Sequence, residues 1–155
     1  MEKRMDIRQT ALSYLEHRMR TTKEMRKRLL DKGFSESECD ETIVWLKESR
    51  YLDDVSYGSE YLRYGFEKRR SINRIKVELK EKGLTPEDTE QAIFAYEDEY
   101  EIDIMEEEYS RAQAEAKRIA QREGTGEKAM AKAGRRLSSL GYSASTIYKV
   151  LGEIK

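Results

Sequence analysis

The stretch MRKRLLDKGFSESECDETIVWL, residues 25–46, recurs fifty residues later as IKVELKEKGLTPEDTEQAIFAY, residues 75–96. The two copies align without a gap, so that apolar residues such as Leu29 and Leu79 occupy the same place. In each copy the apolar residues recur with the spacing of one face of an α-helix. A period of this length is typical of arrays of helical units, so the chain is predicted to repeat one helical hairpin.

A third copy, KAGRRLSSLGYSASTIYKVL, lies at residues 132–151, and its spacing from the second copy has grown to 58 residues. Gly33, Gly83 and Gly141 hold the same place in the three copies, two residues before a Ser or Thr. Because glycine adopts a positive φ without a Cβ clash, each is predicted to end a helix in the left-handed conformation. The Ser or Thr is then predicted to cap the next helix.

A further capping-box pattern is formed by Thr21 and Glu24 ahead of the repeated hairpin, so each unit is predicted to hold three helices. No segment alternates polar and apolar residues over five positions, so we expect no sheet. We predict an all-α chain of three tandem three-helix-bundle repeats that form an elongated, curved rod. The predicted repeats span residues 1–53, 54–102 and 103–155.

The segment YLDDVSYGSEYLRY, residues 51–64, lies where the first predicted repeat meets the second. Asp53 and Asp54 are predicted to cap the helix that begins the second repeat. Four residues are predicted to pack the joint between the two repeats: Tyr51, Leu52, Tyr57 and Tyr61.

The composition, with 37% hydrophobic and 39% charged residues, suits several small cores better than one large core. No stretch approaches the roughly 18 apolar residues that a membrane span needs, and the first residues lack the apolar middle of a signal peptide. We therefore expect a cytoplasmic protein that does not bind membranes. The single cysteine, Cys39, has no internal disulfide partner and is predicted to be a buried helix residue.

The sequence holds little that resembles an active site. With one histidine and one cysteine, no metal cluster of the usual His or Cys spacing is possible, and no P-loop or Rossmann glycine pattern is present. Contiguous carboxylates at residues 97–109 point in several directions on a helix, which disfavours a metal site. We predict that the protein is not an enzyme and binds no cofactor or metal.

Charge is strongly segregated along the chain, although the formal net charge is only −1. Basic blocks at residues 1–35, 63–82 and 110–155 alternate with acidic blocks at 36–62 and 83–109. In chain order the net charges of the five blocks are +5, −6, +5, −11 and +6. Such alternation suits a folded array with basic and acidic faces.

Basic residues lie at matching places on or beside the second helix of each predicted repeat. They are predicted to bind a partner, either by neutralising phosphates or by meeting an acidic protein surface. A merely solvated helix face is the alternative. The predicted binding residues are Lys23, Arg26, Lys27, Arg28, Arg69, Arg70, Arg74, Lys76, Lys80, Lys132, Arg135 and Arg136.

Four segments, in this order, resemble the RecX family of bacterial regulatory proteins. They are RMRTTKEMRKRLLDKGF at residues 18–34, YLDDVSYGSEYL at 51–62, RIKVELKEKGL at 74–84 and AGRRLSSLGYSASTIYKVL at 133–151. Each motif alone is weak, but the ordered set with Tyr-Leu-Asp-Asp at the first joint is specific. One departure is Ser71, which stands where the family commonly has glycine.

Similarity to this family implies tandem three-helix repeats, no catalytic centre and binding to RecA as a filament on single-stranded DNA. The protein would modulate that filament, most often by inhibiting its assembly, ATPase, strand exchange and coprotease activity. We expect a monomer that makes at most weak direct contact with DNA.

The alternative is a direct DNA-binding helical repeat module, because three-helix units with short turns resemble helix-turn-helix elements. The third helices are acidic, as in TPEDTEQAIFAYEDEY at residues 85–100, which disfavours them as recognition helices. Strong binding to naked duplex with a steep salt dependence would favour this alternative.

Overall fold

The structure, a computed structural model, describes residues 6–154, and within them the chain forms nine α-helices and no strand. The helices are α1 (Ile7–Leu15), α2 (Thr22–Asp31), α3 (Glu36–Glu48), α4 (Asp54–Glu67), α5 (Ile72–Glu81), α6 (Pro86–Tyr100), α7 (Ile104–Glu123), α8 (Glu127–Ser139) and α9 (Ala144–Ile154). The predicted all-α class is confirmed. Residues 1–5 of the first predicted repeat and Lys155 of the third lie outside the described residues.

The three repeated glycines end their helices as predicted. Gly33, Gly83 and Gly141 have φ values of 92°, 100° and 101°, in the left-handed region that glycine enters without a Cβ clash. The residue after each glycine returns its backbone N–H to the helix just ended, as when Phe34 donates to the carbonyl of Leu29 at 3.2 Å. Each turn therefore reverses the chain within a few residues.

Helix starts also follow the local sequence signals. Thr21 and Ser35 each accept a hydrogen bond from the backbone N–H three residues on and form complete capping boxes with Glu24 and Glu38. At the start of α6, Thr85 accepts from the N–H of Asp88 at 3.1 Å, and Pro86 takes the first helical position.

The chain divides into two compact units, which differ in number from the three predicted repeats. The first unit comprises the described residues up to Gly58 together with Leu79–Ala92, and the second comprises Ser59–Glu78 together with the described residues from Ile93. Helices α4, α5 and α6 are each divided between the two units. A bundle of about 50 residues buries little surface alone, which is a physical reason for these helices to share their contacts. The three-repeat division stays a prediction.

Each unit has its own hydrophobic core. In the first, Met25, Leu29, Cys39 and Leu46 are fully buried where α1, α2 and α3 meet, which confirms the buried position of Cys39. In the second, small residues of α7 such as Ala112 let α8 and α9 approach closely and bury residues such as Leu137 and Val150. Ala116 and Leu140 are also buried in the core of the second unit.

In the first unit, the amino-terminal end of α2 is held by residues far along the chain. The backbone N–H of Thr22 donates to the Asp54 carboxylate at 2.9 Å, and the Thr21 hydroxyl donates to the carbonyl of Lys82 at 2.8 Å. The Lys23 ammonium donates to the carbonyl of Glu81 at 3.0 Å. These contacts satisfy groups that a helix end leaves without an intrahelical partner.

The second unit repeats this arrangement at the amino-terminal end of α5. The N–H of Ile72 donates to the Glu108 carboxylate at 3.0 Å, and the N–H of Ser71 donates to the carbonyl of Leu140 at 2.7 Å. The Arg74 guanidinium donates to the carbonyl of Ser139 at 2.8 Å. Ser71 and Leu140 correspond in the sequence repeat to Thr21 and Lys82, so the same two repeat positions are hydrogen-bonded in both units, through the Thr21 hydroxyl in the first and the Ser71 backbone N–H in the second.

The two aspartates of the first joint have different partners. Asp53 accepts from the N–H of Ser56 at 3.1 Å and caps α4 as predicted. Asp54, predicted to cap the same helix, is its first residue and instead caps α2 through Thr22. Burial raises the pKa of the Asp54 carboxyl, and the hydrogen bonds from Thr22 offset only part of this rise.

Candidate functional site

The predicted binding residues of α2 lie in the first unit, and each is engaged within it. Lys23 donates to the Glu81 carbonyl, as described above, and the Arg28 guanidinium lies 5.2 Å from the centre of the Tyr14 ring. Their charges have no carboxylate partner among the described residues. Both side chains therefore keep their charge available to a partner, while Lys23 is also needed by the fold.

Arg26 and Lys27 are paired with carboxylates on the surface of the same unit. Arg26 forms an ion pair with Asp40 of α3, and Lys27 lies 2.8 Å from Asp31, one helical turn on. Exposed pairs of this kind contribute only about 0.2–1 kcal/mol, so a strongly acidic partner could replace the carboxylate.

The arginines between α4 and α5 are ordered by contacts within the second unit. Arg70 lies 3.4 Å and Arg74 lies 3.8 Å from the carboxylate of Glu78. Arg69, at a φ of 66° just after α4, points its Nε atom toward Glu115 at 3.8 Å. These three predicted binding residues therefore also have structural partners.

Three predicted residues have exposed side chains with no partner within residues 6–154. They are Lys76 and Lys80 of α5 and Arg135 of α8. Lys76 and Lys80 are one helical turn apart and project from the same side of α5. Lys132, by contrast, forms an ion pair with Glu123. The helix α5 thus carries two of the three predicted cations that are most available to a partner.

The remaining predicted arginine, Arg136, contacts a buried carboxylate, that of Glu115. Arg118, which sequence analysis did not predict, contacts the same carboxylate. Glu115 of α7 is only 4% exposed, and its Oε1 atom accepts from Arg118 at 2.8 Å and from Arg136 at 3.4 Å. Burial alone would raise the pKa of the Glu115 carboxyl, but the hydrogen bond and charge of Arg118, with those of Arg136 and Arg69, lower it overall. The carboxylate is therefore held ionised.

A sequence signal for Glu115 exists, although sequence analysis did not use it. Glu115 shares the buried face of α7 with Ala112, Ala116 and Ile119, three and four residues away. A carboxylate on an apolar stripe needs partners when it is buried. Its basic partners could have been sought among the arginines of neighbouring helices.

An open cavity of about 590 Å³ in the first unit is lined by residues of α1, α2 and the segments that follow them. The lining residues are Thr10, Ser13, Tyr14, His17, Arg20, Arg28, Lys32 and Phe34. Arg20, which sequence analysis did not single out, lies 4.0 Å from the centre of the Tyr14 ring and donates to the Tyr14 carbonyl at 3.2 Å. The lining includes no carboxylate, so this cavity favours anionic groups.

Within the part of the chain that the structure describes, there is neither a metal-binding cluster nor a helix that could span a membrane. Among residues 6–154, no three His, Cys, Asp or Glu side chains are placed to hold a metal ion together. None of the described helices is both long and apolar enough to cross a membrane. Cys39 is buried, and burial raises the pKa of its thiol, which disfavours the reactive thiolate.

A family model described as "RecX, first three-helix domain" matches residues 8–46. The regulatory protein RecX of Clostridium acetobutylicum is 32% identical over 146 residues, which are 93% of this chain and 66% of that protein. The regulatory protein RecX of Leuconostoc mesenteroides is 34% identical over 97 residues, which are 62% of this chain and 36% of that protein. The aligned regions thus span from about a third to about two thirds of these relatives.

The fold of this chain is also similar to that of solved structures. The crystal structure of RecX from Lactobacillus salivarius superposes with a TM-score of 0.77 at 23% identity and covers 96% of this chain and 94% of that one. A second crystal structure, of a regulatory protein RecX, gives a TM-score of 0.72 at 21% identity and covers 96% of this chain and 74% of that one. The matched domain, the relatives aligned along nearly the whole chain and the shared helical fold place this chain in the RecX family of regulatory proteins.

Proposed function

We propose that the chain binds a RecA filament on single-stranded DNA and modulates it by inhibiting its assembly, ATP hydrolysis, strand exchange and coprotease activity. The observation that carries the proposal is membership of a family of regulatory proteins. The absence of a metal cluster within residues 6–154 is compatible with regulation by binding.

The exposed lysines of α5 are the best candidates for the first contact with the filament. Lys76 and Lys80 are exposed, are one turn apart and have no carboxylate partner among the described residues. Unpaired surface charges accelerate the encounter with an oppositely charged surface. Arg74 is less suited to a test, because its charge reversal would also remove the hydrogen bond to Ser139.

The proposal is tested by titrating this protein into the single-stranded-DNA-dependent ATPase reaction of its cognate RecA. Binding of the protein to the same DNA without RecA is measured in parallel at physiological salt. We expect the ATPase rate to fall at concentrations too low to coat the DNA. An unchanged ATPase rate, with tight binding to DNA alone, would instead establish a DNA-binding module.

A charge-reversal pair then tests the contact surface. We expect the double change Lys76→Glu and Lys80→Glu to raise the concentration needed for inhibition about tenfold, a loss of about 1.4 kcal/mol in binding. The matched control changes Lys47 and Lys117, two exposed lysines on α3 and α7, to Glu. If both pairs weaken inhibition equally, the effect follows net charge and α5 is not the contact surface.

A further inference from the structure

Three arginines from different elements surround the buried carboxylate of Glu115 in the second unit. Arg118 of α7 and Arg136 of α8 hydrogen-bond its Oε1 atom, and the Arg69 Nε atom lies 3.8 Å from Oε2. Arg69 belongs to the turn after α4. Residues far apart in the sequence thus bring three positive charges to one negative charge.

The charges of this cluster do not balance. Guanidinium groups stay protonated, and the pKa of Glu115 is lowered despite its burial, so three positive charges meet one negative charge. The nearby Arg111 pairs with Glu107 at 3.3 Å and with Glu108 at 2.9 Å, a group of net charge −1 that lowers the local excess from two positive charges to one. The local excess of positive charge therefore favours binding of a second anion.

The arginines are both anchored and accessible. Their side chains are between 41% and 49% exposed, although each contacts a carboxylate that is only 4% exposed. The Nε atom of Arg118 is buried and has no hydrogen-bond partner among the described residues. Anchoring reduces the side-chain entropy lost on binding, and the exposed N–H groups that do not contact Glu115 can donate to a ligand.

The cavity beside the cluster restricts what the ligand can be. It has a volume of about 250 Å³ and is lined by Arg69, Glu115 and Arg118 of the cluster, whereas Arg136 lies outside its lining. Its other lining residues are Phe66, Arg111, Ala114 and Tyr142. The Phe66 ring is covered by the Arg111 guanidinium at 4.1 Å, and Tyr142 is only 6% exposed. The Tyr96 ring also packs against Phe66, with 5.4 Å between the ring centres, which leaves little aromatic surface on which a nucleic-acid base could stack. The cluster therefore favours a compact anion with several acceptor oxygens.

We propose that Arg69, Arg118 and Arg136, assembled around Glu115, form a phosphate-binding site. Phosphate offers oxygens in several directions and can accept from the three guanidinium groups at once, whereas a carboxylate accepts in one plane. The phosphate can belong to a nucleic-acid backbone or to a free polyphosphate. The proposal does not depend on RecA, because every test uses this chain alone.

The site can be tested by substituting Arg69 with glycine. Its positive φ is a conformation that glycine adopts more easily, so in Arg69→Gly the relieved backbone conformation offsets part of the lost contact with Glu115 while one guanidinium is removed. Arg50 is the matched control: it has a φ of 62° after α3, and its side chain makes no ion pair within residues 6–154. Arg50→Gly removes the same charge and relieves the same backbone conformation.

Binding of a fluorescent twenty-nucleotide thymidine oligonucleotide and of inorganic pyrophosphate is measured for both variants across a salt series. We expect Arg69→Gly to weaken phosphate binding about fivefold and to lower the slope of log K against log salt by about 0.7, the value of one phosphate contact on a single strand. We expect Arg50→Gly to match the wild type. Binding of the oligonucleotide alone assigns the site to a backbone, and binding of pyrophosphate alone assigns it to a free polyphosphate.

Two results would overturn the proposal. The first is that both variants weaken phosphate binding equally. The second is that Arg69→Gly weakens the binding of an acidic polyglutamate peptide but of neither phosphate probe. A second variant tests the proposal through thermal stability, which does not require a measurable binding constant. Glu115→Gln leaves the three arginines without an anion, so we expect a lower Tm and a larger rise of Tm with added pyrophosphate than in the wild type. An equal or smaller rise would show that the cluster serves only the fold.

Discussion

A Cβ atom on Gly83 would lie 2.5 Å from the Cβ atom of Lys23, closer than two such carbons can approach. The turn that follows α5 is therefore pressed against the first turn of α2. The second unit repeats this contact, since a Cβ on Gly141 would lie 2.5 Å from the Cβ of Arg74. Gly83 and Gly141 thus serve both the backbone conformation and the packing between helices.

We predict that Gly83→Ala destabilises the protein more than its backbone conformation alone explains. Gly124 is the control, because its φ is also positive, at 85°, but nothing lies within 4 Å of a Cβ placed there. Gly124, with a ψ of −170°, is in a region that essentially only glycine adopts, so Gly124→Ala should cost about 1–3 kcal/mol. Gly83→Ala should cost about 2–5 kcal/mol, of which about 1–2 kcal/mol is the backbone conformation and about 1–3 kcal/mol is overpacking. Urea unfolding measures both. Equal losses would mean that the turn moves away from Lys23 at little cost.

We predict that Asp54→Ala lowers the free energy of unfolding by about 1–2 kcal/mol, because the N–H of Thr22 loses its acceptor. Asp54→Asn keeps an acceptor oxygen and should cost less. Glu60→Ala is the control on the same helix, since its exposed ion pair with Arg63 contributes at most about 1 kcal/mol. If Asp54→Ala is as mild as this control, water replaces the carboxylate at the end of α2.

We predict that Glu115 makes the stability of the protein depend on pH in the acid range. Its pKa is lowered below the ordinary 4.5, so the unfolded chain takes up a proton at a higher pH than the folded chain. The stability that the carboxylate contributes is therefore fully present above the unfolded value and is lost as the pH falls through the folded value.

The measurement is the difference in unfolding free energy between the wild type and Glu115→Gln, followed by urea unfolding from about pH 6 to about pH 3. This difference should shrink as the pH falls. A difference that is constant with pH would mean that the arginines do not stabilise the ionised carboxylate.

We predict that Cys39 reacts with a thiol reagent only when its unit opens. The side chain is fully buried in the core of the first unit, and burial raises the pKa of the thiol. As the chain has one cysteine, the labelling signal has a single source. The rate should rise with urea in step with the opening free energy. Rapid labelling of the native protein would show that this core opens locally.

Local rules explain why so much of the secondary structure could be predicted. The capping boxes at Thr21 and Ser35 and the left-handed glycines depend on residues within a few positions of each other, and each was found where the sequence placed it. The apolar spacing likewise identified core residues such as Leu29 and Leu79, because a helix turns its faces at a fixed period.

Partners of charged residues could not be assigned in the same way. From the sequence, Asp54 was predicted to cap its own helix, but in the structure its carboxylate accepts from the N–H of Thr22, 32 residues earlier. The basic residues were found from their spacing, yet Arg26 is paired with Asp40 and Arg136 with Glu115. Such pairs depend on which helices touch, and the order of charges along the chain does not specify this.

The sequence by itself determined the helical class, the turns and the register of the repeat, because these follow from the period of apolar residues and from conformations only glycine adopts easily. Tertiary packing alone decided that the middle helices are divided between two compact units and that Arg69, Arg118 and Arg136 meet at Glu115. The physical reason is distance: burial and Coulomb interactions act between groups that are close in space, whatever their separation in the chain.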